Sequence, residues 1–152
     1  MRELIYKEPE PAMNEVVYTR KVCYYETDKM AVVHHSNYIR WFEEARIYFM
    51  DVFNIPHLEM ENRGMMIPVV SVGCQYKIPA RFGDTVRIHV WISYFNGIRL
   101  KCGYRVEKAD TGEICCTGES EHCFVDPAFQ PVSLKKSYPE YYEAFKVHVK
   151  EG

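Results

Sequence analysis

Long apolar runs are missing from this 152-residue sequence. No window approaches the ~18 apolar residues that a membrane-spanning helix needs, and residues 1–11 contain no apolar core of signal-peptide length. We therefore expect no membrane span and a cytoplasmic location. Basic blocks are also missing, since 19 Lys and Arg stand against 21 Asp and Glu for a formal net charge of −2. This balance argues against nucleic acid as an obligate partner.

The six cysteines lack the spacing of a metal site or of a disulfide framework. No two of them form a Cys-x-x-Cys pair, so a zinc site is not expected. A chain of this size without a secretion signal rarely relies on disulfides. Cys74, Cys102 and Cys116 fall in the apolar phase of predicted strands, where cysteine packs as a small hydrophobic side chain. We expect reduced core thiols and no metal ion or redox cofactor.

The composition is that of a globular protein. Hydrophobic residues make up 47% and charged residues 26% of the chain, which are ordinary values. A chain of this length usually forms one domain, and we expect a single domain over residues 1–152. Residues 1–14 are polar and contain proline, and we predict that they are irregular.

Periodic patterns divide the rest of the chain into elements. Apolar residues recur at steps of four and three on one face of a predicted helix, namely Tyr38, Phe42, Ala45, Phe49 and Val52. Strict alternation on both sides of Asn96-Gly97 predicts a β-hairpin. The predicted elements are a strand over residues 15–28, the helix over 37–53, a connector over 55–64, strands over 65–78, 84–95, 98–106 and 113–125, and a closing helix over 137–146.

The order of these elements indicates a fold class. One strand and one long helix come first, and four strands follow. This order predicts an α+β fold in which an antiparallel sheet wraps around one long central helix. A single sheet around a single helix leaves a face or an edge strand uncovered, so we expect a homo-oligomer.

Candidate catalytic groups lie between the first strand and the helix. Asp28 follows the strand, and His34 and His35 directly precede the helix. A loop aspartate most often forms a turn, but a carboxylate in a half-apolar setting can also deprotonate water or attack a carbonyl. Two roles are open to His35, through its imidazole or through its backbone N–H, because unpaired amides at a helix N-terminus suit an oxyanion. On an extended strand, the side chain of Tyr24 shares a face with that of Asp28.

These residues belong to a longer pattern. The segments YYETD (24–28), VVHHSNY (32–38) and WFEEAR (41–46), followed by PARFGD (79–84), resemble the signature of the hotdog-fold acyl-CoA thioesterases. The most similar branch is that of 4-hydroxybenzoyl-CoA thioesterase and the YbgC-type enzymes. The resemblance covers residues 15–125, and the predicted order of elements agrees with a hotdog fold.

The resemblance implies hydrolysis of an acyl-CoA to a carboxylic acid and free CoA, without a metal or a cofactor. Asp28 falls at the family's catalytic aspartate, which acts as nucleophile or general base. His35 matches the histidine whose backbone N–H polarises the thioester oxygen, and Tyr24 matches a tyrosine implicated in that branch. Glu43 and Arg46 match the helix signature, where an i,i+3 pair fits a structural role as well as a functional one. Family members are homodimers or dimers of dimers with active sites at subunit interfaces.

The turn after Asp28 departs from the family pattern. Ala31 stands where a glycine is frequent. If the position needs a positive φ, alanine strains the turn by about 1–2 kcal/mol. Lys29-Met30 replaces the small residues often found there, which is expected to reshape the mouth of the pocket.

An acyl-CoA needs cations for its phosphates and an apolar slot for its acyl group. We place the slot along Val33, Tyr38 and Phe42. Arg81 and Lys101 are candidates for the phosphates, although each also fits a solvated surface. Further cations with the same two interpretations are Lys77, Arg99 and Arg105. The sequence distinguishes neither aliphatic from aromatic acyl groups nor CoA from acyl carrier protein.

Two other functions share the predicted fold. The first is a non-catalytic hotdog protein that binds acyl-CoA or acyl carrier protein, which Ala31 favours. The second is a hotdog dehydratase acting on 3-hydroxyacyl thioesters. It ranks last because Glu43 and Glu44 have no histidine beside them on the helix.

Overall fold

The computed structural model describes residues 14–150. Its five strands form one antiparallel sheet in the order β1-β3-β4-β5-β2. The strands are β1 (Glu15–Lys21), β2 (Val69–Tyr76), β3 (Thr85–Phe95), β4 (Arg99–Lys108) and β5 (Ile114–Cys123). The helices are α1 (Ser36–Val52), α2 (His57–Asn62), α3 (Leu134–Ser137) and α4 (Pro139–Lys146). The predicted α+β class, long helix and antiparallel sheet are confirmed.

The pairing of the strands leaves β1 and β2 at the two edges of the sheet. β1 pairs with β3, with Tyr18 opposite Ile88. β2 pairs with β5, with Cys74 opposite Gly118. The predicted hairpin joins β3 to β4, and Gly97 adopts a φ of +90° there. Only glycine takes up such a backbone without steric cost, which explains the sequence signal at this turn.

Helix α1 packs against the inner face of the sheet. Its buried residues are Tyr38, Trp41, Phe42, Ala45 and Phe49. The ring of Phe42 stacks on that of Tyr104 with centroids 4.2 Å apart and planes 11° apart. On the neighbouring strand a Cβ at Gly118 would lie 2.5 Å from the Phe42 ring. The helix therefore rests directly on bare backbone at this point of β5.

Only one side of α1 is covered. Ile39 and Ile47 of this helix are exposed. The sheet in one chain reaches just the inner side of the helix, and these two side chains lie on the side that it leaves open.

Several elements differ from the prediction in length or continuity. The closing helix is split into α3 and α4, because Pro139 cannot continue α3 and instead starts α4. β2 and β5 are shorter than predicted at both ends. All six cysteines are free thiols. Cys102, Cys115 and Cys116 are buried as expected of core thiols, whereas Cys23, Cys74 and Cys123 are only partly buried. The irregular segment predicted over residues 1–14 lies outside the described residues except for Asn14, which is in a turn.

The first strand is shorter than predicted. It ends at Lys21, and Tyr24–Glu26 forms a 3-10 turn. The aromatic and β-branched residues of this stretch favour a strand locally, but the side chain of Glu26 accepts a hydrogen bond from the Cys23 backbone N–H at 2.8 Å and folds the chain back. The expectation that Tyr24 and Asp28 share a strand face is therefore wrong.

Candidate active site

The carboxylate of Glu26 joins three parts of the candidate site. It is only 3% exposed. One oxygen accepts from Arg20 of β1 at 2.6 Å and from the Cys23 N–H. The other accepts from the indole N–H of Trp41 in α1 at 2.7 Å. A buried charge is tolerated when it is paired and fully hydrogen-bonded, which is the case here.

The backbone carbonyl of Glu26 fixes the approach to α1. It accepts from the His34 backbone N–H and from the side-chain amide of Asn37, each at 2.8 Å. Asn37 therefore serves the preceding turn and does not cap the helix. The helix begins at Ser36 with His35 in the N-cap position and without a side-chain cap.

Asp28 lies at the start of a tight turn. The Met30 backbone N–H donates to Asp28 Oδ1 at 2.8 Å, and the Ala31 N–H donates to the Asp28 carbonyl at 3.0 Å. The turn closes through the Asp28 N–H, which donates to the Val32 carbonyl at 2.9 Å. One carboxylate oxygen thus shapes the turn, and the side chain as a whole is half-buried. The structural role expected of a loop aspartate is present and leaves Oδ2 for another partner.

Ala31 adopts a φ of +62°, so the condition under which alanine strains this turn is met. An alanine in the left-handed region is strained by about 1–2 kcal/mol. The turn's three backbone and side-chain hydrogen bonds hold it in this conformation.

The N-terminus of α1 presents an unpaired amide at His35. The N–H of His34 donates to Glu26, that of Ser36 to His34 Nδ1 at 3.2 Å, and that of Asn37 to the His34 carbonyl at 2.9 Å. Within residues 14–150, the His35 N–H has no such partner. An amide of this kind at a helix start carries the positive end of the helix dipole and suits a developing negative charge.

A cavity of about 250 Å³ brings these groups together. Its lining comprises Asp28, Val32, Val33, His35, Tyr38, Tyr76, Lys77, Ile78, Pro79 and Cys115. Burial raises the pKa of Tyr38 to about 12, so this phenol is neutral. Its oxygen accepts from the Ala80 backbone N–H at 3.2 Å, which fixes the ring against the chain that leaves β2.

Four of the eight predicted site residues line this cavity: Asp28, Val33, His35 and Tyr38. Tyr24 does not, since it is 76% exposed and its ring packs edge-on against Phe82, with centroids 5.6 Å apart. Phe42 lies in the core under Tyr104.

The two predicted phosphate-binding cations are separated. Arg81 is exposed, and its backbone pairs with Val32, next to the Asp28 turn. Lys101 is on the outer face of the sheet, where its ammonium lies 5.7 Å from the centre of the Tyr94 ring. Lys77 is the one candidate cation that lines the cavity.

Tyr76 and Cys115 line the cavity without having been singled out. The Tyr76 hydroxyl donates to the His35 carbonyl at 3.1 Å and so ties β2 to the helix start. Tyr76 and His35 are far apart in sequence, and the alternation of residues in β2 alone does not predict that they meet. Cys115 belongs to a strand whose pairing with β4 is irregular near Val106, which puts two consecutive cysteines in the interior.

No group of three His, Cys, Asp or Glu side chains in the described part of the chain is arranged to hold a metal ion. No helix among residues 14–150 is both long and apolar enough to cross a membrane.

Comparison with known proteins identifies the family. Residues 22–137 match the family model described as "Thioesterase-like superfamily". The chain belongs to this superfamily. This confirms the predicted family and, at the level of the family, the expected class of thioester hydrolase.

Individual relatives agree with this family. The chain is 33% identical over 127 residues to "Putative acyl-CoA thioesterase YneP" of Bacillus subtilis, spanning 83% of this chain and 91% of the relative. It is 26% identical to "Acyl-CoA thioester hydrolase YbgC" of Escherichia coli O6:H1 over 77% of this chain and 87% of that protein. The structure of DHNA-CoA thioesterase from Staphylococcus aureus superimposes with a TM-score of 0.83 at 28% identity, covering 87% of this chain and 89% of that one. The hotdog fold is thereby confirmed.

The buried ion pair of Arg20 and Glu26 leads to a prediction about the stability of the protein. Replacing Glu26 by Gln removes the charge that compensates Arg20 in the interior, and we expect the free energy of unfolding to fall by about 3 kcal/mol. The measurement is urea denaturation followed by circular dichroism. Glu44→Gln is the matched control, because Glu44 binds the same guanidinium at 2.7 Å from an exposed position and should cost less than about 1 kcal/mol. Equal losses in the two variants would contradict the central role of Glu26.

The positive φ of Ala31 leads to a second prediction about stability. Ala31→Gly relieves the left-handed strain at the expense of some unfolded-state entropy, so we expect a net gain of about 0.5–1 kcal/mol in unfolding free energy. Thermal and urea denaturation measure this gain. Ala109→Gly, at a half-buried position whose φ is not positive, should lower stability instead. A loss of stability in both variants would show that the turn does not strain alanine.

Proposed function

We propose that this protein is an acyl-CoA thioesterase that uses Asp28 and the N-terminus of α1. One observation carries the proposal: Asp28 and His35 line the same cavity, and the His35 backbone N–H lacks a partner within the described residues. A carboxylate and an unpaired amide on residues that line one cavity are what hydrolysis of a thioester requires. The names of the relatives support acyl-CoA as the substrate class.

The reaction follows from these two groups. The thioester oxygen lies against the His35 N–H, which stabilises the negative charge that forms on it. Asp28 either takes a proton from the attacking water or attacks the carbonyl itself. In the general-base route the tetrahedral species expels the CoA thiolate, which takes up the proton that Asp28 removed from water. In the nucleophilic route the loss of the thiolate leaves a mixed anhydride between the acyl group and Asp28, and water hydrolyses it to the carboxylic acid and free Asp28. Neither a metal nor a cofactor takes part in these steps.

The cavity walls suggest where the rest of the substrate lies. Val33, Tyr38 and Ile78 give the acyl group an apolar surface. Lys77 on the lining and Arg81 beside the Asp28 turn are the cations placed to meet phosphates. Lys101, on the outer face of the sheet, does not reach this cavity from its own chain. The proposed CoA portion therefore extends from the 77–81 segment.

The proposal is tested by Asp28→Asn. The amide keeps an oxygen that can accept from the Met30 N–H, so the turn should persist while basicity and nucleophilicity are lost. We expect kcat to fall by about two to four orders of magnitude, with unfolding unchanged. A screen of short, medium, long and aromatic acyl-CoAs with a thiol-reactive dye provides the measurement, and it should include acylated acyl carrier protein.

Asp110→Asn, in an exposed turn, is the control and should retain full activity. Undiminished hydrolysis by Asp28→Asn would refute the assignment. Tight binding of acyl-CoA by the native protein without any release of thiol would instead support the non-catalytic alternative, which the strained Ala31 favours.

We also propose that two copies pair through β2. This strand lies at the sheet edge, and its exposed side chains include Val69, Val70, Val72 and Tyr76. An apolar edge strand with unpaired backbone groups is normally covered by a partner. The open side of α1, with Ile39 and Ile47, would be covered in the same assembly. Whether dimers pair further, and the expected cytoplasmic location, stay predictions.

Val72→Lys tests this interface. The substitution introduces a charge where two apolar strands would meet, so we expect light scattering to show a shift from dimer to monomer at micromolar concentration. Ile98→Lys is the control, because Ile98 is 42% exposed at a hairpin tip and Val72 is 40% exposed. A monomeric native protein, or an unchanged dimer in Val72→Lys, would rule out pairing through β2.

A further inference from the structure

A second cavity lies at the other end of α1. Its volume is about 270 Å³, and α1, α2, the segment before β2, and the inner faces of β3 and β4 enclose it. It shares no lining residue with the Asp28 cavity. Along α1, Tyr38 lines the first cavity and Arg46 the second, which separates them by about 12 Å of helix rise. The two spaces are distinct in one chain.

Arg46 contributes a positive charge to the wall of this second cavity. Its guanidinium donates to the hydroxyl of Tyr104 at 3.1 Å. Among residues 14–150 it forms no ion pair. Glu43 and Glu61, the carboxylates on the same lining, are exposed, where water screens their charge. A half-buried guanidinium with one neutral partner retains donors for an anion.

The groups beneath Arg46 do not neutralise it. The Tyr104 hydroxyl lies 2.6 Å from Ser120 Oγ, which lies 2.7 Å from His122 Nε2. Burial, together with the nearby charge of Arg46, lowers the pKa of His122 to about 4. Burial also raises the pKa of Tyr104. At neutral pH the hydrogen-bonded side chains of Tyr104, Ser120 and His122 are uncharged. They therefore orient the guanidinium without compensating its charge.

The rest of the wall is apolar and adaptable. Four methionines line it: Met50, Met60, Met65 and Met66. Phe49, Ile67, Leu100 and Phe145 complete much of the remaining surface. Methionine side chains adjust to flexible apolar ligands. A single cation in such a chamber complements a molecule with one anionic end and one apolar end.

We propose that this cavity binds a medium-chain carboxylic acid, with its carboxylate on Arg46 and its chain among the four methionines. The volume, close to the lower end of ligand cavities, suits a chain of about eight carbons. The site goes beyond the proposed hydrolysis, which uses only the Asp28 cavity. It would allow a free acid to bind the protein while the Asp28 cavity is vacant or occupied.

The methionines themselves provide the readout. With ¹³C-methyl methionine, the signals of Met50, Met60, Met65 and Met66 report on the second cavity, while Met30 is exposed in the turn that begins at Asp28 and reports on that turn. Octanoate should shift the four cavity signals saturably, with a dissociation constant of about 0.1–1 mM, and should leave Met30 unchanged. 1-Octanol, which lacks the charge, should bind at least about tenfold more weakly.

Variants of two arginines on the same helix complete the test. Arg46→Met should weaken octanoate binding by about tenfold or more and bring it close to that of octanol. Arg40→Met, at an exposed position of α1, should bind octanoate as the native protein does. Native-like melting curves confirm that both variants fold. If Arg46→Met does not fold, the comparison of octanoate with octanol in the native protein decides the question.

Three results would overturn the proposal. They are no saturable shift of the cavity methionines up to about 5 mM octanoate, equal affinity for octanoate and octanol, and a shift of Met30 alone. The last result would place the acid at the turn after Asp28, outside the second cavity, and would leave the proposed thioesterase function intact. Loss of hydrolysis in Asp28→Asn has no bearing on these outcomes, so the two proposals fail separately.

Discussion

The buried carboxylate of Glu26 is the constraint on which the site depends. It takes hydrogen bonds from Arg20 in the first strand, from the turn that follows, and from Trp41 in the central helix. Its own carbonyl holds the segment that enters that helix. Because one residue fixes all of these, the distance between the Asp28 turn and the start of α1 is set by bonds inside the protein. A charge is costly in the interior, and here it is used to position two chain segments.

The sequence was most informative where structure is local. Alternation, the helical repeat of α1 and the glycine at residue 97 predicted the elements, and the short spacing between Asp28 and His35 predicted that they would lie near one helix end. Prediction failed where a single side chain overrides a propensity. Tyr24 and Tyr25 are good strand residues, but the bond from the Cys23 N–H to Glu26 curls them into a 3-10 turn.

Contacts between distant segments lay beyond the sequence. Tyr76 reaches His35 across 41 residues, and no periodic pattern records that meeting. The second cavity is a similar case, since α1, α2 and two strands each give it only a few residues. The hydrogen bonds that link Tyr104 through Ser120 to His122, beside Arg46, likewise form only in the folded sheet.

The contact between the Phe42 ring and the backbone of Gly118 has a consequence for how proteins of this fold can vary in ligand. The Phe42 ring lies against the backbone of Gly118, and no flexible side chain stands between helix and strand here to absorb a change. The spacing between α1 and β5 is thus held constant at this contact. Differences in ligand preference must then come from the segments that border the two cavities, which are residues 28–33, 65–67 and 76–81. Because the contact between helix and sheet is rigid and the surrounding segments can vary, related proteins can change their ligands while the supporting structure stays the same.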